Sequence, residues 1–311
     1  MTKYILKRIF LMFPVILGVS FIVFLIMSFT PGDPARLILG ESATFEDIEI
    51  LREEMGLNDN FFVRYFNYVK NAVTNFDFGN SYTTKQPVTN ELFARFPSTL
   101  KLALGSVFLM VMIGVPIGII SAVKQYSLID RISLVGALLL TSMPAFWFGL
   151  MLVLVFALRL RWFPATGADT IKHFILPCFT LAAAMMANLI RMTRSIMLEV
   201  IRQDYIRTAR AKGVKEMTVI YKHALRNALL PVVTIIGLNL GGLLGGTMII
   251  ESVFAMPGLG TLTIESIRMK NTPTVMASIL FVAILAGIIN LIVDILYVYI
   301  DPRIKSQYAK N

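Results

Sequence analysis

Six stretches of the chain carry no Asp, Glu, Lys or Arg over a length close to that needed to cross a bilayer. A transmembrane helix needs roughly 20 consecutive apolar residues. The fourth stretch is the shortest, but it can extend past Arg191, whose long side chain can snorkel to the interface. The pattern predicts an all-α integral membrane protein with six transmembrane helices at Ile9–Gly32, Leu102–Val123, Ile132–Leu158, His173–Ile190, Asn227–Ile250 and Asn271–Val293.

Composition and charge agree with a bilayer as the solvent. The chain is 56% hydrophobic and 15% charged, with a mean hydropathy of +0.72, whereas a soluble protein needs more polar surface. The net charge of +10 could suggest nucleic acid, but 17 of the 29 Lys and Arg residues lie on one side of the predicted topology. The positive-inside rule makes that side cytoplasmic. Both termini are therefore predicted to be cytoplasmic, and no nucleic-acid partner is expected.

The chain is predicted to divide into a first transmembrane helix (1–32), an extracytoplasmic helical segment (33–97) and a five-helix transmembrane core (98–311). In the extracytoplasmic segment, Thr44 and Asp47 have the spacing of a helix cap, and Gly56 stands where that helix would stop. A second amphipathic helix is predicted over Phe61–Val73. The segment is either a small cap packed on the membrane domain or part of a docking surface for an extracytoplasmic partner, and these two interpretations are compatible.

The cytoplasmic segment 195–228 lies between the fourth and fifth predicted spans. It lacks Gly and Pro from 195 to 212, which predicts a continuous helix there, and Gly213 permits a sharp bend. Helical spacing resumes after the bend. Such a rigid projection suits docking into a protein cleft. The alternative is an interfacial helix lying on anionic lipid, favoured by nine basic against three acidic residues in 191–226. Composition leaves both interpretations open.

The sequence resembles the permease subunits of bacterial ATP-binding-cassette (ABC) importers of the dipeptide, oligopeptide and nickel class, which includes glutathione importers. The matching motifs extend over almost the whole chain, so the resemblance is far more specific than any one of them. They are Thr30–Pro34, Gly56-Leu57, Phe78–Ser81, Asp204–Gly213, His223–Pro231, Leu243–Thr247, Glu251–Phe254, Pro257–Gly260 and Asp301–Ile304.

The resemblance implies a type I ABC importer permease fold in the bacterial cytoplasmic (inner) membrane, with the segment 195–228 docked in a groove of an ATPase subunit. Importer permeases carry a signature that begins Glu-Ala-Ala and reaches a glycine six residues after the Glu. Here Arg207-Thr208-Ala209 occupies the start and Gly213 the glycine, and the peptide-type branch departs from the signature in the same way. The residues implied for ATPase coupling are Asp204, Tyr205, Arg207, Ala209, Gly213, Lys215 and Glu216.

The function implied by the resemblance is that of a channel-forming subunit that moves dipeptides and oligopeptides by alternating access. The same architecture importing glutathione, nickel or a metallophore is the alternative, and Phe163–Asp169 looks like the glutathione-importing members. A receptor or scaffold without transport is disfavoured by the docking signature. The implied partners are a second homologous permease, two ABC ATPases, an extracytoplasmic substrate-binding protein and membrane lipid.

No catalytic residue is predicted in this chain. It contains no Gly-x-x-x-x-Gly-Lys-Ser/Thr phosphate loop, so ATP and Mg are expected on the partner ATPases, and no cofactor is expected on the chain itself. Two histidines and the single Cys178 are too few for a strong transition-metal site, so no metal is expected either.

Several intramembrane residues are candidates for packing or for the substrate path. Small residues four apart permit close helix approach, which predicts a packing role for Gly237, Gly241 and Gly245. Polar residues at membrane depth are expensive, and this singles out Asn290 and Asp294, where Asp294 is interpreted as the structural partner of a basic residue. The candidates for the substrate path are Ser142, Trp147, Asn239 and Glu251.

Overall fold

A computed structural model describes residues 2–40 and 42–300, and the side chains at 2–4, 7, 238, 241, 242, 244 and 296–300 lie outside that description. The described chain is helical apart from one isolated β-bridge between Asn80 and Pro87. Two π-helical stretches, Val153–Arg159 and Val219–Ala224, interrupt the α-helices.

The α-helices of the described chain follow one another with short connections. They are α1 (Thr2–Phe29), α2 (Pro34–Leu39), α3 (Phe45–Glu54), α4 (Phe61–Thr74), α5 (Val88–Val123), α6 (Leu128–Ser142), α7 (Ala145–Leu152), α8 (Ile171–Ile201), α9 (Asp204–Ala211), α10 (Glu216–Thr218), α11 (Leu225–Val253), α12 (Leu259–Arg268) and α13 (Thr272–Ile300).

The prediction of a helical membrane protein is confirmed. Five helical runs within the described residues are long and apolar enough to cross a bilayer, and a bent helix pair makes a sixth if it counts as one span. The five are Arg8–Phe29, Val88–Val123, Ile171–Ile201, Glu216–Gly237 and Thr272–Ile295.

The third predicted span, Ile132–Leu158, is wrong as a single helix. Helices α6 and α7 meet at an angle of 108°, with the break at Met143 and Pro144. Met143 has φ −87° and ψ 132°, because the proline ring disfavours the helical conformation in the residue before it. The apolar run therefore contains two helices that differ strongly in direction.

The helices predicted in the extracytoplasmic segment are confirmed as α3 and α4. The Thr44 hydroxyl accepts a hydrogen bond from Asp47 N at 3.2 Å and so caps α3. Gly56, with φ +63°, follows the end of that helix as expected. The predicted segment boundaries at 32 and 97 concern membrane topology and stay a prediction.

The described chain forms two compact units, residues 2–99 with 257–287 and residues 100–256 with 288–300. In the first unit, Lys270 and Asn271 connect separate parts of the chain. The Lys270 ammonium donates hydrogen bonds to the carbonyls of Thr30 and Gly32, just beyond α1. Burial lowers the pKa of Lys270, although Asp33 opposes the shift.

Asn271 makes the second connection of this unit. Its side-chain oxygen accepts from Tyr82 N at 3.0 Å, and its amide donates to the Ser81 hydroxyl at 2.7 Å. Two adjacent residues therefore attach both the end of α1 and the loop before α5 to the start of α13. Separately, Val88 and Leu92 of α5 pack with Leu259 and Leu262 of α12 in an apolar core.

In the second unit, α8 packs against α5, α6, α7 and α11 and is the most buried of the candidate spans. Two glycines let α5 approach α8 closely. A Cβ on Gly114 would lie 3.2 Å from the Leu189 side chain, and one on Gly118 would lie 2.6 Å from Thr193 Cβ and 2.9 Å from the Ile190 carbonyl oxygen. The contact at Gly118 leaves no room for a side chain.

We expect Gly118→Ala to destabilise the second unit, because the added methyl group would have to push α5 away from α8. Overpacking of this kind costs about 1–3 kcal/mol. Thermal unfolding of the purified protein in detergent measures the effect. Gly136→Ala in α6 is the matched control, since a Cβ there meets nothing within 4 Å and alanine favours a helix by up to about 1 kcal/mol. Equal melting temperatures for the two variants would contradict the close packing.

Candidate functional site

The segment 195–228 does not contain the continuous helix that was predicted over 195–212. Helix α8 ends at Ile201, and α9 begins at Asp204 after Gln203, which has an extended conformation with φ −67° and ψ 149°. The break turns α9 back, so that Ile206 is fully buried in one apolar cluster with Met197 of α8. Tertiary burial overrides helix propensity here.

That cluster, called the anchor cluster below, holds α9 in place. Five of its buried members come from α8, from α9 and from the π-helical stretch that leads into α11, and each of these five is at most 4% exposed. They are Met197, Ile206, Val219, Ile220 and Ala224. Turns of π-helix are rare in proteins overall, and those that occur are often at functional sites. The π-helical stretch beside α9 therefore favours a functional role for this region.

Gly213 adopts the left-handed conformation that the sequence predicts, with φ +75°. Its N–H donates to the Arg210 carbonyl at 2.9 Å, and Val214 N donates to the Ala209 carbonyl at 3.2 Å. These two bonds satisfy carbonyls that the end of α9 leaves free. A Cβ on Gly213 would meet nothing within 4 Å, so the requirement for glycine lies in the backbone conformation alone.

An exposed ion pair bridges the bend at Gly213. Arg210 donates to both carboxylate oxygens of Glu216, at 2.7 and 3.1 Å. The hydrogen bond that Arg210 donates to the Glu216 carboxylate raises the pKa of Arg210. Since the two side chains are 39% and 55% exposed, the pair orients the bend more than it stabilises the fold.

The residues implied for ATPase coupling lie together around this bend. Asp204, Arg207, Lys215 and Glu216 are exposed, and Ala209 packs against the anchor cluster. The Tyr205 hydroxyl accepts from the Asn227 amide at 3.1 Å and so connects α9 with α11. These residues form a charged surface around the bend, and contacts of α9 attach it to the long helices α8 and α11.

A buried ion pair that the sequence analysis missed joins three helices of the same unit. Asp130 in the first turn of α6 is 2% exposed. Its carboxylate accepts from Arg194 of α8 at 2.6 and 2.8 Å, from the Ser121 hydroxyl of α5, and from Tyr126 N at 2.9 Å. Arg194 lies on the cytoplasmic-segment side of α8, ten residues before α9 begins.

The sequence contained a signal for Asp130. Ser127 caps α6 by accepting from Asp130 N at 3.3 Å, so Ser-x-x-Asp has the spacing of a helix cap. The predicted span began at Ile132 and therefore left Asp130 in a loop. A capping box would have moved the start of the helix to Leu128, but it would not have identified Arg194 as the partner.

The substrate-path candidates occupy different places in the second unit. Ser142 and Trp147 are exposed and flank the break between α6 and α7. Asn239 donates to the Ile235 carbonyl of its own helix at 2.8 Å, and Glu251 is fully buried near the end of α11. The described bonds of Ser142 and Asn239 stay within their own helices, so they do not join the candidates into one site.

The glycines of α11 that were predicted to pack against other helices differ in their surroundings. Gly237 is buried, Gly245 has nothing within 4 Å of a Cβ, and the surroundings of Gly241 lie outside the described residues. Gly246, which is also part of this row of small residues, has the Leu181 side chain of α8 3.1 Å from its Cβ position. Of the polar residues in α13, Asn290 is exposed and Asp294 is partly buried.

The chain matches a known family of membrane transport components along most of its length. Residues 114–306 match the family described as the binding-protein-dependent transport system inner membrane component, and residues 1–103 match the N-terminal part of such components. The chain is 44% identical over 307 residues to the glutathione transport system permease protein GsiC of Escherichia coli (strain K12), covering 99% of this chain and 100% of that relative.

Two further similarities are to an oligopeptide permease and to a solved transporter structure. The chain is 44% identical over 316 residues to the oligopeptide transport system permease protein AppB of Bacillus subtilis (strain 168), covering 98% of this chain and 100% of AppB. The solved structure of the MetNI methionine ABC transporter in an inward-facing conformation matches with a TM-score of 0.57 at 20% identity. That match covers 68% of this chain and 96% of the solved chain.

We expect Asp130→Asn to destabilise the second unit strongly, because it leaves the Arg194 guanidinium without its charged partner. Breaking one side of a buried ion pair costs about 3–5 kcal/mol. Glu216→Gln at the exposed pair is the matched control, with an expected loss under about 1 kcal/mol. Thermal unfolding of the purified variants measures both. If Asp130→Asn melts no earlier than Glu216→Gln, the buried pair does not hold the three helices together.

Proposed function

The chain belongs to the family of binding-protein-dependent transport system inner membrane components, and we propose that it forms the path by which an ABC importer brings short peptides into the cell. It is the permease subunit of such an importer and lies in the inner membrane. Permease subunits of this family are not catalytic, and membership implies partner ATPases and a binding protein. Similarity over the full length of the relatives carries the proposal.

Short peptides are the cargo class that both named relatives support. One relative is a glutathione permease and the other an oligopeptide permease, at the same 44% identity. Glutathione, itself a modified tripeptide, is the second candidate. It is favoured by the resemblance of Phe163–Asp169 to the glutathione-importing members. Overall identity does not separate the two cargoes.

Uptake by the reconstituted complex tests the cargo class. We expect vesicles that carry this chain, its partner permease, the ATPases and the binding protein to accumulate a labelled oligopeptide when ATP is supplied. Unlabelled glutathione added with the binding protein should compete if glutathione shares the path, whereas nickel should not. ATP-dependent uptake of nickel with neither peptide transported would overturn the proposal.

The proposed topology places both termini and α9 in the cytoplasm. It is supported by the 17 of 29 basic residues that fall on that side. In this topology α9, Gly213 and the exposed charges around it form the surface that docks into an ATPase groove. Ser142 and Trp147 stay the better path candidates, because a break in a span exposes backbone groups that can line a cavity.

Alternating access requires a two-state element whose equilibrium is shifted by binding at both of its ends. We propose that α9 is the cytoplasmic end of that element. The anchor cluster supports this, since it attaches α9 to both α8 and the π-helical stretch before α11. A displacement of α9 by an ATPase would then be transmitted to two long helices together.

We expect Gly213→Val to lower peptide uptake severalfold while the complex still assembles and hydrolyses ATP. A β-branched residue is strongly disfavoured at φ +75°, so the bend changes direction and α9 is misaligned in the groove. Uptake and ATP hydrolysis are measured on the same vesicles.

Two controls accompany this variant. Gly213→Asn should restore most of the uptake, because asparagine visits the left-handed region. Lys215→Glu should have a smaller effect than Gly213→Val, since an exposed charge is worth under about 1 kcal/mol. Normal transport by Gly213→Val would argue instead that the segment lies on lipid.

A further inference from the structure

Helix α4 exposes two sectors of opposite character. Phe62, Phe66 and Val73 are 68%, 66% and 67% exposed, and at 3.6 residues per turn they lie within about 40° of one another. The exposed polar residues Asn67, Lys70, Asn71 and Thr74 occupy the next sector round the helix, which also carries Val63 at 48% exposure. A helix in water would place its large aromatic side chains inward. The pattern therefore indicates that one exposed sector of α4 faces an apolar medium.

The inner side of α4 packs against the middle of α1. The hydroxyls of Tyr65 and Ser20 lie 2.8 Å apart, and Tyr65 also donates to the Leu17 carbonyl at 3.2 Å. The Phe61 ring stacks edge to face on Phe21, with centroids 6.0 Å apart. Ser20 lies nine residues before the end of α1, which corresponds to about 14 Å of helix.

Two contacts fix the depth of this packing within the first unit. At the end of α1, Lys270 binds the carbonyls of Thr30 and Gly32. Toward its start, the Met12 side chain lies against Gly287 of α13. Met12 and the end of α1 are about 25 Å apart along the helix, which is close to the hydrocarbon thickness of about 30 Å. The contact of Tyr65 with Ser20 lies between these levels, in the middle of the candidate span Arg8–Phe29, so the inner side of α4 reaches the depth of the hydrocarbon.

The apolar sector of α4 continues into the exposed face of α1. The cleft between these helices has a volume of ≈ 440 Å³, which is enough to hold several acyl methylene groups. It is lined by Phe21, Leu25 and Phe29 of α1 and by Phe62 and Arg64 of α4. Phe29 is 78% exposed. Arg64 adds a positive charge that suits a lipid phosphate.

We propose that α4 is a membrane-embedded amphipathic helix whose Phe62, Phe66 and Val73 bind phospholipid acyl chains, with one chain in the cleft beside α1. The lipid belongs to the leaflet at the C-terminal end of α1, which is the outer leaflet in the topology proposed above. An extracytoplasmic protein approaches through water and would meet the polar sector, whereas the apolar sector lies at the depth of the lipid. The occupant is therefore lipid and not the binding protein.

Spin labels on the two exposed sectors test this in the full complex, in nanodiscs of phosphatidylethanolamine and phosphatidylglycerol. Phe66→Cys and Asn71→Cys, each labelled in a Cys178→Ala background, report the medium that they contact. Oxygen concentrates in hydrocarbon and a nickel chelate in water. We expect collisions with oxygen to dominate at position 66 and collisions with the chelate to dominate at position 71.

Two results would overturn the proposal. Dominant collisions with the chelate at position 66 would show that the sector faces water. Low collision rates with both reagents would show that a protein covers it, as the docking interpretation of this segment expects. Neither result depends on transport, so the proposal can fail while the proposed function stands.

A second measurement covers the case in which the labelled variants do not fold. Phe62→Trp conserves an exposed aromatic side chain, and brominated phospholipids quench tryptophan that contacts their acyl chains. We expect a larger fractional loss of fluorescence than in the unsubstituted protein, whose emission comes from Trp147 and Trp162. No added quenching from position 62 would contradict lipid contact.

Discussion

Polar groups in the hydrocarbon of a bilayer find no water, and this constraint governs most of the structure. Long helices satisfy their backbone internally, and their hydroxyl and amide side chains do the same by donating to the carbonyl four residues earlier. Such bonds run from Ser106 to Leu102, Thr180 to Leu176, Thr234 to Leu230, Asn239 to Ile235 and Ser252 to Met248. A polar residue in a span is thus no evidence of a substrate contact by itself.

Where the chain departs from a long helix, side chains take over the same task. The Lys270 ammonium is buried and donates hydrogen bonds to two carbonyls beyond α1. Asp130, at the start of α6, uses both oxygens to accept from Arg194, and it also satisfies Ser121 and Tyr126 N. A buried ion pair is favourable only when its remaining hydrogen-bonding capacity is filled, and here the neighbouring helices fill it.

The sequence pattern predicted the features that depend on neighbouring residues in the chain. It failed for the helix breaks that depend on contacts between residues far apart in the sequence. The spans, the helix cap at Thr44 and the left-handed Gly213 follow from local rules. The break at Pro144 does not, because Pro177 and Pro231 lie inside unbroken helices. The break before Asp204 likewise depends on the burial of Ile206, which only the folded unit determines.

The same distinction explains which parts of the segment 195–228 could be identified from the sequence. The exposed residues of α9 carry a family pattern, and the bend needs glycine for a local reason. The anchor cluster, by contrast, consists of ordinary apolar residues whose role depends on how α9 folds back on α8. Because α8 also carries Arg194 and the close contact with Gly118, the helix that would receive the proposed displacement of α9 is also held to α5 and α6. A rigid helix with that many fixed contacts can transmit movement as a unit, whereas a loosely packed one would absorb it.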